Sequence, residues 1–154
     1  MSQKFSFVVY GDPKPAGSKR AFRTKTGKTV VVDTSGLTGY RWRAAIREAA
    51  LEALGIEPES LPLFATEALR VAMVFHFERP KAHYNKRGQL KNFVPHYHTV
   101  RPDVLKLARA VEDALTGIVW RDDSQIVAEH LTKIYADPQN GSYPGVTVEV
   151  EAVS

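Results

Sequence analysis

The chain has 154 residues, of which 44% are hydrophobic and 25% charged, so it is long enough for one domain with a buried core and too short for a second. It contains no cysteine, which excludes disulfides and thiolate metal sites, and no apolar run is long enough to cross a membrane. We therefore expect a single domain over residues 1–154 that works in a reducing cytoplasm without membrane contact.

The N-terminal third predicts a strand and a hairpin. Residues 4–10 alternate like a strand and lack the cleavage site of a signal peptide. The glycine and two prolines at 11–15 end this strand. Alternation resumes on both sides of residues 25–28, which predicts a hairpin with a basic tip.

A long helix and a long strand follow. Thr34 or Ser35 can cap a helix that runs to Leu54. Its predicted apolar face consists of Trp42, Ala45, Ile46, Ala49, Ala50, Ala53 and Leu54. Residues 66–78 alternate as a half-buried strand, and His76 falls on the solvent side of that strand.

Residues 79–101 have no period and are too long for an ordinary connection. Basic residues alternate with aromatic ones in this segment, a mixture that can bind phosphates and stack on bases, so we expect a basic, mobile DNA-binding loop. Its histidines, at 83, 96 and 98, also suggest zinc, but neither cysteine nor a helical histidine pair supports that alternative.

The last third predicts a second helix and two strands. The helix covers residues 103–116, a turn covers 117–124, and the strands lie near 125–135 and 145–152. The order of elements indicates an α+β fold with a mixed β-sheet and two main helices.

Positive charge is concentrated in two segments. Residues 12–30 hold six Lys and Arg against Asp12 alone, and residues 79–109 hold eight against Asp103 alone. Beyond residue 109 eight Asp and Glu outnumber two basic residues. This sorting favours one face that binds a polyanion, with nucleic acid the first candidate. Two solvated basic loops would give the same pattern.

The second predicted helix carries an unexpected leucine. Its apolar stripe consists of Val104, Leu107, Ala108, Val111, Ala114 and Leu115. Its other side carries Asp103, Lys106, Arg109, Glu112 and Asp113. Leu105 falls among these polar residues, at a position where a polar side chain would be expected. A single exposed leucine is also common on protein surfaces.

Acidic residues flank this helix. Asp103 precedes it, and Asp122 and Asp123 follow it. Taken separately, each group is explained by a purely structural role: Asp103 as a cap or dipole partner of the helix, and Asp122 and Asp123 as part of a turn. Because a short helix and a tight return to a strand follow one another, we expect both groups at one edge of the sheet. Two converging carboxylates among cations are typical of a Mg²⁺ site, which would activate water against a phosphodiester while a nearby Lys or Arg offsets the developing charge.

Two long motifs then support a resemblance. The first is Pro102-Asp103-x-Leu105-Lys106-Leu107-x-Arg109-Ala110-x-x-Asp113-Ala114-Leu115, followed by Trp120-x-Asp122-Asp123-Ser124-Gln125-Ile126. The second is Gly11-x-Pro13-x-Pro15-x-Gly17-Ser18-Lys19-Arg20, after a first strand. Together they resemble the RusA family of Holliday junction resolvases, found in bacteria and their phages, and the resemblance covers most of the chain.

The resemblance implies a homodimeric, Mg²⁺-dependent endonuclease, with Mn²⁺ a possible substitute, that makes paired cuts at four-way DNA junctions in a bacterial or phage-infected cell. It implies that Asp103 and Asp123 bind the ion, that Asp122 assists, and that Arg109 steadies the scissile phosphate. The predicted DNA-binding residues are Lys14, Lys19, Arg20, Arg23, Lys86, Arg87, Lys91, Arg101 and Lys106.

Leu105 departs from the family pattern, because the second Asp of the family's Asp-x-Asp falls there. Loss of that carboxylate should weaken Mg²⁺ binding and cutting. A protein of this fold that binds junctions but cuts them weakly or not at all is therefore the main alternative. A restriction-type nuclease would need a lysine after Asp123 that is absent, and a general nucleic-acid module would bind duplex and junction alike.

Overall fold

Two helices pack against a four-stranded mixed sheet in the computed structural model. It describes residues 2–17, 19–33 and 36–154, without the side chains of Lys19, Arg20 and Asp33. The strands are β1 (Lys4–Tyr10), β2 (Lys19–Arg23), β3 (Thr29–Asp33), β4 (Ala68–Phe77), β5 (Ile126–Tyr135) and β6 (Gly145–Val153), and the helices are α1 (Gly36–Leu54) and α2 (Val104–Leu115). The α+β fold with a mixed sheet and two main helices is confirmed.

The main sheet has the strand order β1-β6-β4-β5. β6 pairs antiparallel with both of its neighbours, whereas β4 and β5 run parallel. β2 and β3 form a separate antiparallel hairpin, as predicted around the basic tip. The predicted caps Thr34 and Ser35 lie outside the described residues.

The core lies between one face of the sheet and the two helices. Alternate β4 residues are buried, as their period of two predicts: Leu69, Val71, Met73, Phe75 and Phe77. α2 buries Leu107, Ala108, Ala110, Val111, Ala114 and Leu115. α1 buries Trp42, Ile46 and Ala50. Ala53, which we predicted on the same face, is exposed, and Ala50 is the last residue of α1 that is buried.

His76 corrects the prediction of a surface histidine. It lies on the face of β4 opposite the core but is half-buried, and burial lowers its pKa. The reason is the position of its strand: β4 is central in the sheet, so His76 has Gly145 on one side and Ile134 on the other.

The direction of β5 relative to α2 positions the functional residues. After α2 ends at Leu115, the chain turns and β5 returns beside the helix towards its start. The carboxyl groups of Glu112 and Glu129 therefore meet in the C-terminal half of the helix, and Lys133 lies near Asp103 at its start. Each end of α2 thus has its own set of neighbours.

Gly145 provides a test of the β1–β6 pairing. It lies opposite Tyr10 with φ at +155°, and an added Cβ would overlap the carbonyl group of Val9. We expect Gly145→Ala to lower the free energy of unfolding by about 3 kcal/mol, measured by urea denaturation. Gly27→Ala is the matched control, because its φ is +81° but nothing lies within 4 Å, and it should cost only about 1 kcal/mol. Equal losses would contradict the predicted overlap.

Candidate nuclease site

A cleft of about 680 Å³ opens at the N-terminal end of α2. We call it the α2 cleft. It is lined by Asp12, Pro13, Lys14, Pro15, Phe77, Arg101, Pro102, Asp103 and Lys106. The N-terminal loop forms one wall and is fixed to the helix, because the amide of Ala16 donates to the carbonyl of Lys106 at 2.9 Å. Two separate basic segments of the sequence are thereby brought together.

Asp103 is the first residue before α2, and its carbonyl accepts the amide of Leu107 at 3.1 Å. Its carboxylate makes no capping hydrogen bond and is exposed in the α2 cleft. A side-chain cap is therefore not its role. Lys14, Arg101 and Lys106 share the cleft with it, although Lys14 also binds Asp12 at 2.7 Å.

Lys133 binds the backbone that precedes Asp103, a role that we did not predict from the sequence. Its ammonium group donates to the carbonyls of Val100 and Pro102, both at 2.7 Å. Burial lowers the pKa of Lys133, and the nearby Asp103 carboxylate opposes that shift. The lysine thus holds the backbone that leads into α2. Nothing in the local sequence around Lys133 signals this role, because it depends on β5 returning beside the helix.

The second acidic group builds a tight turn. Asp122 caps the 3-10 turn Asp123–Gln125, since its Oδ1 accepts the amide of Ser124 at 2.8 Å, and this hydrogen bond lowers the pKa of Asp122. Gln125 Oε1 accepts the amides of Arg121 and Asp122 at 2.8 and 3.0 Å. In this structure the Asp-Asp-x-Gln pattern therefore serves first to shape the turn.

Asp123 is tied to the C-terminal end of α2. Its Oδ1 accepts the hydroxyl of Thr116 at 2.7 Å and the indole N–H of Trp120 at 3.2 Å. Thr116 is the C-terminal cap residue of the helix. These two donors orient the carboxylate and place it at the far end of the helix from Asp103.

Asp103 and Asp123 of one chain lie too far apart to bind the same ion, although we expected both at one edge of the sheet. α2 has 12 residues, and at about 1.5 Å per residue its two ends are roughly 18 Å apart. A tight turn brings the returning chain next to the end of the helix and not next to its start. Within the described residues, no group of three or more His, Cys, Asp and Glu side chains could hold a metal ion.

Between the two ends, α2 exposes Leu105 and Arg109 and half-buries Glu112. Leu105 is 71% exposed, as the helical period predicts. Burial, then the hydrogen bond to Glu129 and the charges of Glu129, Asp123 and Asp113 raise the pKa of Glu112 to about 8. No local sequence pattern signals this carboxyl pair, because Glu129 lies on a different element, β5.

The predicted DNA-binding residues fall into three places. Lys14, Arg101 and Lys106 line the α2 cleft. Arg23 is exposed in the β2–β3 hairpin, and the side chains of Lys19 and Arg20 lie outside the described part of the structure. Lys86, Arg87 and Lys91 are exposed on the segment 79–101, which we call the basic loop.

The basic loop is anchored to the sheet. Arg79 donates to the carbonyl of Pro95 at 2.7 Å and lies 5.0 Å from the centre of the Tyr135 ring. His98 is buried and stacks on Phe77 with the ring centres 4.0 Å apart, and burial lowers its pKa. This histidine therefore packs the loop onto the sheet, and the three histidines of the loop belong to no metal-binding group among the described residues.

The Glu112–Glu129 pair predicts an unusual pH dependence. The folded protein keeps the carboxyl of Glu112 protonated up to about pH 8, whereas the unfolded chain ionises it near its ordinary pKa of 4.5. The free energy of unfolding should therefore fall as pH rises through this window. Glu112→Gln should lack this fall and be more stable than wild type at pH 8, on the order of 2 kcal/mol after allowance for solvent screening.

Urea denaturation at several pH values between 5 and 8.5 measures this difference. Glu129→Gln is the companion variant, and it should also flatten the slope because it removes the neighbouring charge. Parallel stability curves for wild type and Glu112→Gln would show that the carboxyl pair holds no extra proton.

Comparison with known proteins agrees with the sequence motifs. The family described as "Endodeoxyribonuclease RusA" matches residues 11–151. The chain is also 26% identical over 150 residues to the "Uncharacterized protein YqaN" of Bacillus subtilis (strain 168), covering 96% of both chains. Neither of the two long helices, nor any other helix in the described residues, has the length and apolarity to span a membrane. The match over nearly the whole chain shows that it belongs to the RusA endodeoxyribonuclease family.

Proposed function

We propose that this protein is a homodimeric endonuclease that resolves four-way DNA junctions by paired nicks with Mg²⁺, or with Mn²⁺ in its place. The family match supports a nuclease that acts on DNA. The observation that carries the proposal is the α2 cleft, where the exposed carboxylate of Asp103 shares one cavity with Lys14, Arg101 and Lys106.

The chemistry of the α2 cleft suits a phosphodiester. Its cations would bind the phosphates of a DNA strand. An exposed carboxylate would repel the same phosphates unless a divalent cation lay between them, and Mg²⁺ is often bound by one or two carboxylates together with substrate phosphates. The ion, when bound, would activate water and stabilise the leaving oxygen. Asp103 would hold the ion, and the three cations would position the strand.

The separation of Asp103 and Asp123 supports a dimer. In a two-fold pair with antiparallel α2 helices, Asp103 of each chain would lie beside Asp123 of the partner subunit. The same rotation would bring Leu105 and Val127, which are 71% and 63% exposed, towards each other across the interface. We therefore propose that the ion is held between chains, with Asp122 assisting. Arg109, exposed in the middle of α2, would face the scissile phosphate.

Mixing two inactive variants tests this proposal. Asp103→Asn and Asp123→Asn should each reduce Mg²⁺-dependent cleavage of a labelled four-way junction by about 100-fold or more, because each removes an ionised ligand. Junction binding without metal should persist, because it depends on the cations. In a mixed dimer, one site combines both substitutions and the other combines both native carboxylates.

Cleavage should therefore return when the two variants are refolded together, as single nicks and not as paired ones. The Asp103→Asn, Asp123→Asn double variant mixed with wild type is the control, because each site of that mixed dimer lacks one carboxylate. If the two single variants fail to complement each other although mixed dimers form, the site is not shared between chains. Wild-type protein that does not cut junctions at all would leave only the binding alternative.

Leu105 distinguishes the cutting enzyme from a junction-binding protein. It lies one turn before Arg109 on the exposed side of α2, where the family pattern has a carboxylate. Leu105→Asp should strengthen Mn²⁺ binding and raise the cleavage rate by about tenfold, since it restores an oxygen ligand. Leu105→Asn, which has similar size without the charge, should give much less. Unchanged cleavage in Leu105→Asp would show that the absent carboxylate does not limit the reaction.

A further inference from the structure

Phe93 stands out in the basic loop for two independent reasons. The residue is 104% exposed, so its ring is not buried by the rest of the described chain. Its φ is +64°, and it is the one residue other than glycine in the left-handed region among residues 2–17, 19–33 and 36–154. A bulky residue is strained there, and full exposure of its ring to water brings no packing energy in return.

The backbone on both sides of Phe93 is fixed. The amide of Lys91 donates to the carbonyl of His83 at 2.9 Å, and the carbonyl of Pro95 accepts Arg79 at 2.7 Å. The preceding turn is built on Asn85, whose Oδ1 accepts two amides at 2.9 Å. The surrounding loop therefore holds Phe93 in its strained conformation and presents the ring outwards.

The loop that carries this ring is cationic. Lys86, Arg87 and Lys91 are exposed in the same loop. The sequence from residue 79 to residue 102 contains neither Asp nor Glu. Such a surface attracts phosphates, and an aromatic ring among phosphate-binding cations is suited to stacking on a base. The polyanion that fits both features is a nucleic acid with an accessible base face.

We infer that Phe93 stacks on a base exposed at the branch point of a four-way DNA junction, and this rests on the function proposed above. A continuous duplex offers no free base face, and opening one costs a few kcal/mol. Base pairs that flank a branch point lack a stacked neighbour when the junction opens. Stacking by Phe93 therefore favours a junction over a duplex, whereas the cations around it bind both.

The position of the loop is compatible with this role. Phe93 precedes Arg101, a residue of the α2 cleft, by eight residues, so the Cα atoms of Phe93 and Arg101 are at most about 28 Å apart. His98 fixes the intervening segment to the sheet. A branch point in contact with Phe93 would place the adjoining strands within reach of the cleft.

Phe93→Asn separates stacking from loop structure. Asn tolerates the left-handed conformation, so the variant should unfold at a slightly higher urea concentration than wild type. It should bind a four-way junction about tenfold more weakly but bind linear duplex with unchanged affinity, because only the stacked base is lost. Phe93→Trp should retain junction preference. Tyr40→Ala, which removes another exposed aromatic ring from α1, should change neither affinity.

A junction with 2-aminopurine beside the branch point reports the contact directly. Wild type and Phe93→Trp should change its fluorescence on binding in the absence of metal, and saturating Phe93→Asn should not. If Phe93→Asn keeps the junction preference and the fluorescence change, the inference is overturned while the proposed function stands. If wild type itself shows no preference for a junction over a duplex, both are overturned.

Discussion

The return of β5 beside α2 is the constraint on which the arrangement of this molecule depends. Three contacts hold the strand and the helix side by side. Thr116 binds Asp123 at one end, Glu112 meets Glu129 on the last turns of the helix, and Lys133 binds the backbone before Asp103 at the other end. Together they keep the two aspartates at opposite ends of the helix. Within one chain, a single ion therefore cannot contact both of them.

The charges follow the same axis. At the start of α2 the cleft gathers cations from the N-terminal loop, from the end of the basic loop and from the helix itself around the carboxylates of Asp12 and Asp103. Towards its other end, acidic groups crowd one another enough to raise the pKa of Glu112 to about 8. A phosphate backbone is attracted to the first end and repelled by the second. The second end becomes favourable for DNA only when a cation or a basic surface of another subunit lies against it.

The family motif combines structural and chemical residues. Asp122 and Gln125 form reciprocal hydrogen bonds that close the turn, and Gln125 also donates to the carbonyls of Phe64 and Glu67. Asp103, by contrast, makes no capping hydrogen bond. The turn is thus explained by folding alone, whereas the exposed carboxylate in a basic cleft is not. Leu105 takes no part in the hydrogen bonds of this turn.

Local patterns were sufficient for the elements and for the family. The 3.6-residue period predicted most of the buried stripe of α2, with Ala110 missed and Val104 only half-buried, and the period of two predicted the buried side of β4, because each depends only on neighbours along the chain. The motif around Asp103 and Asp123 indicated the family for the same reason. Packing direction and strand register are different, because they join residues far apart in the sequence. They separate the two aspartates, pair Glu112 with Glu129, bury His98 on Phe77 and bring Lys133 to the start of α2. No local period contains that information, so these features emerged only when the chain was folded.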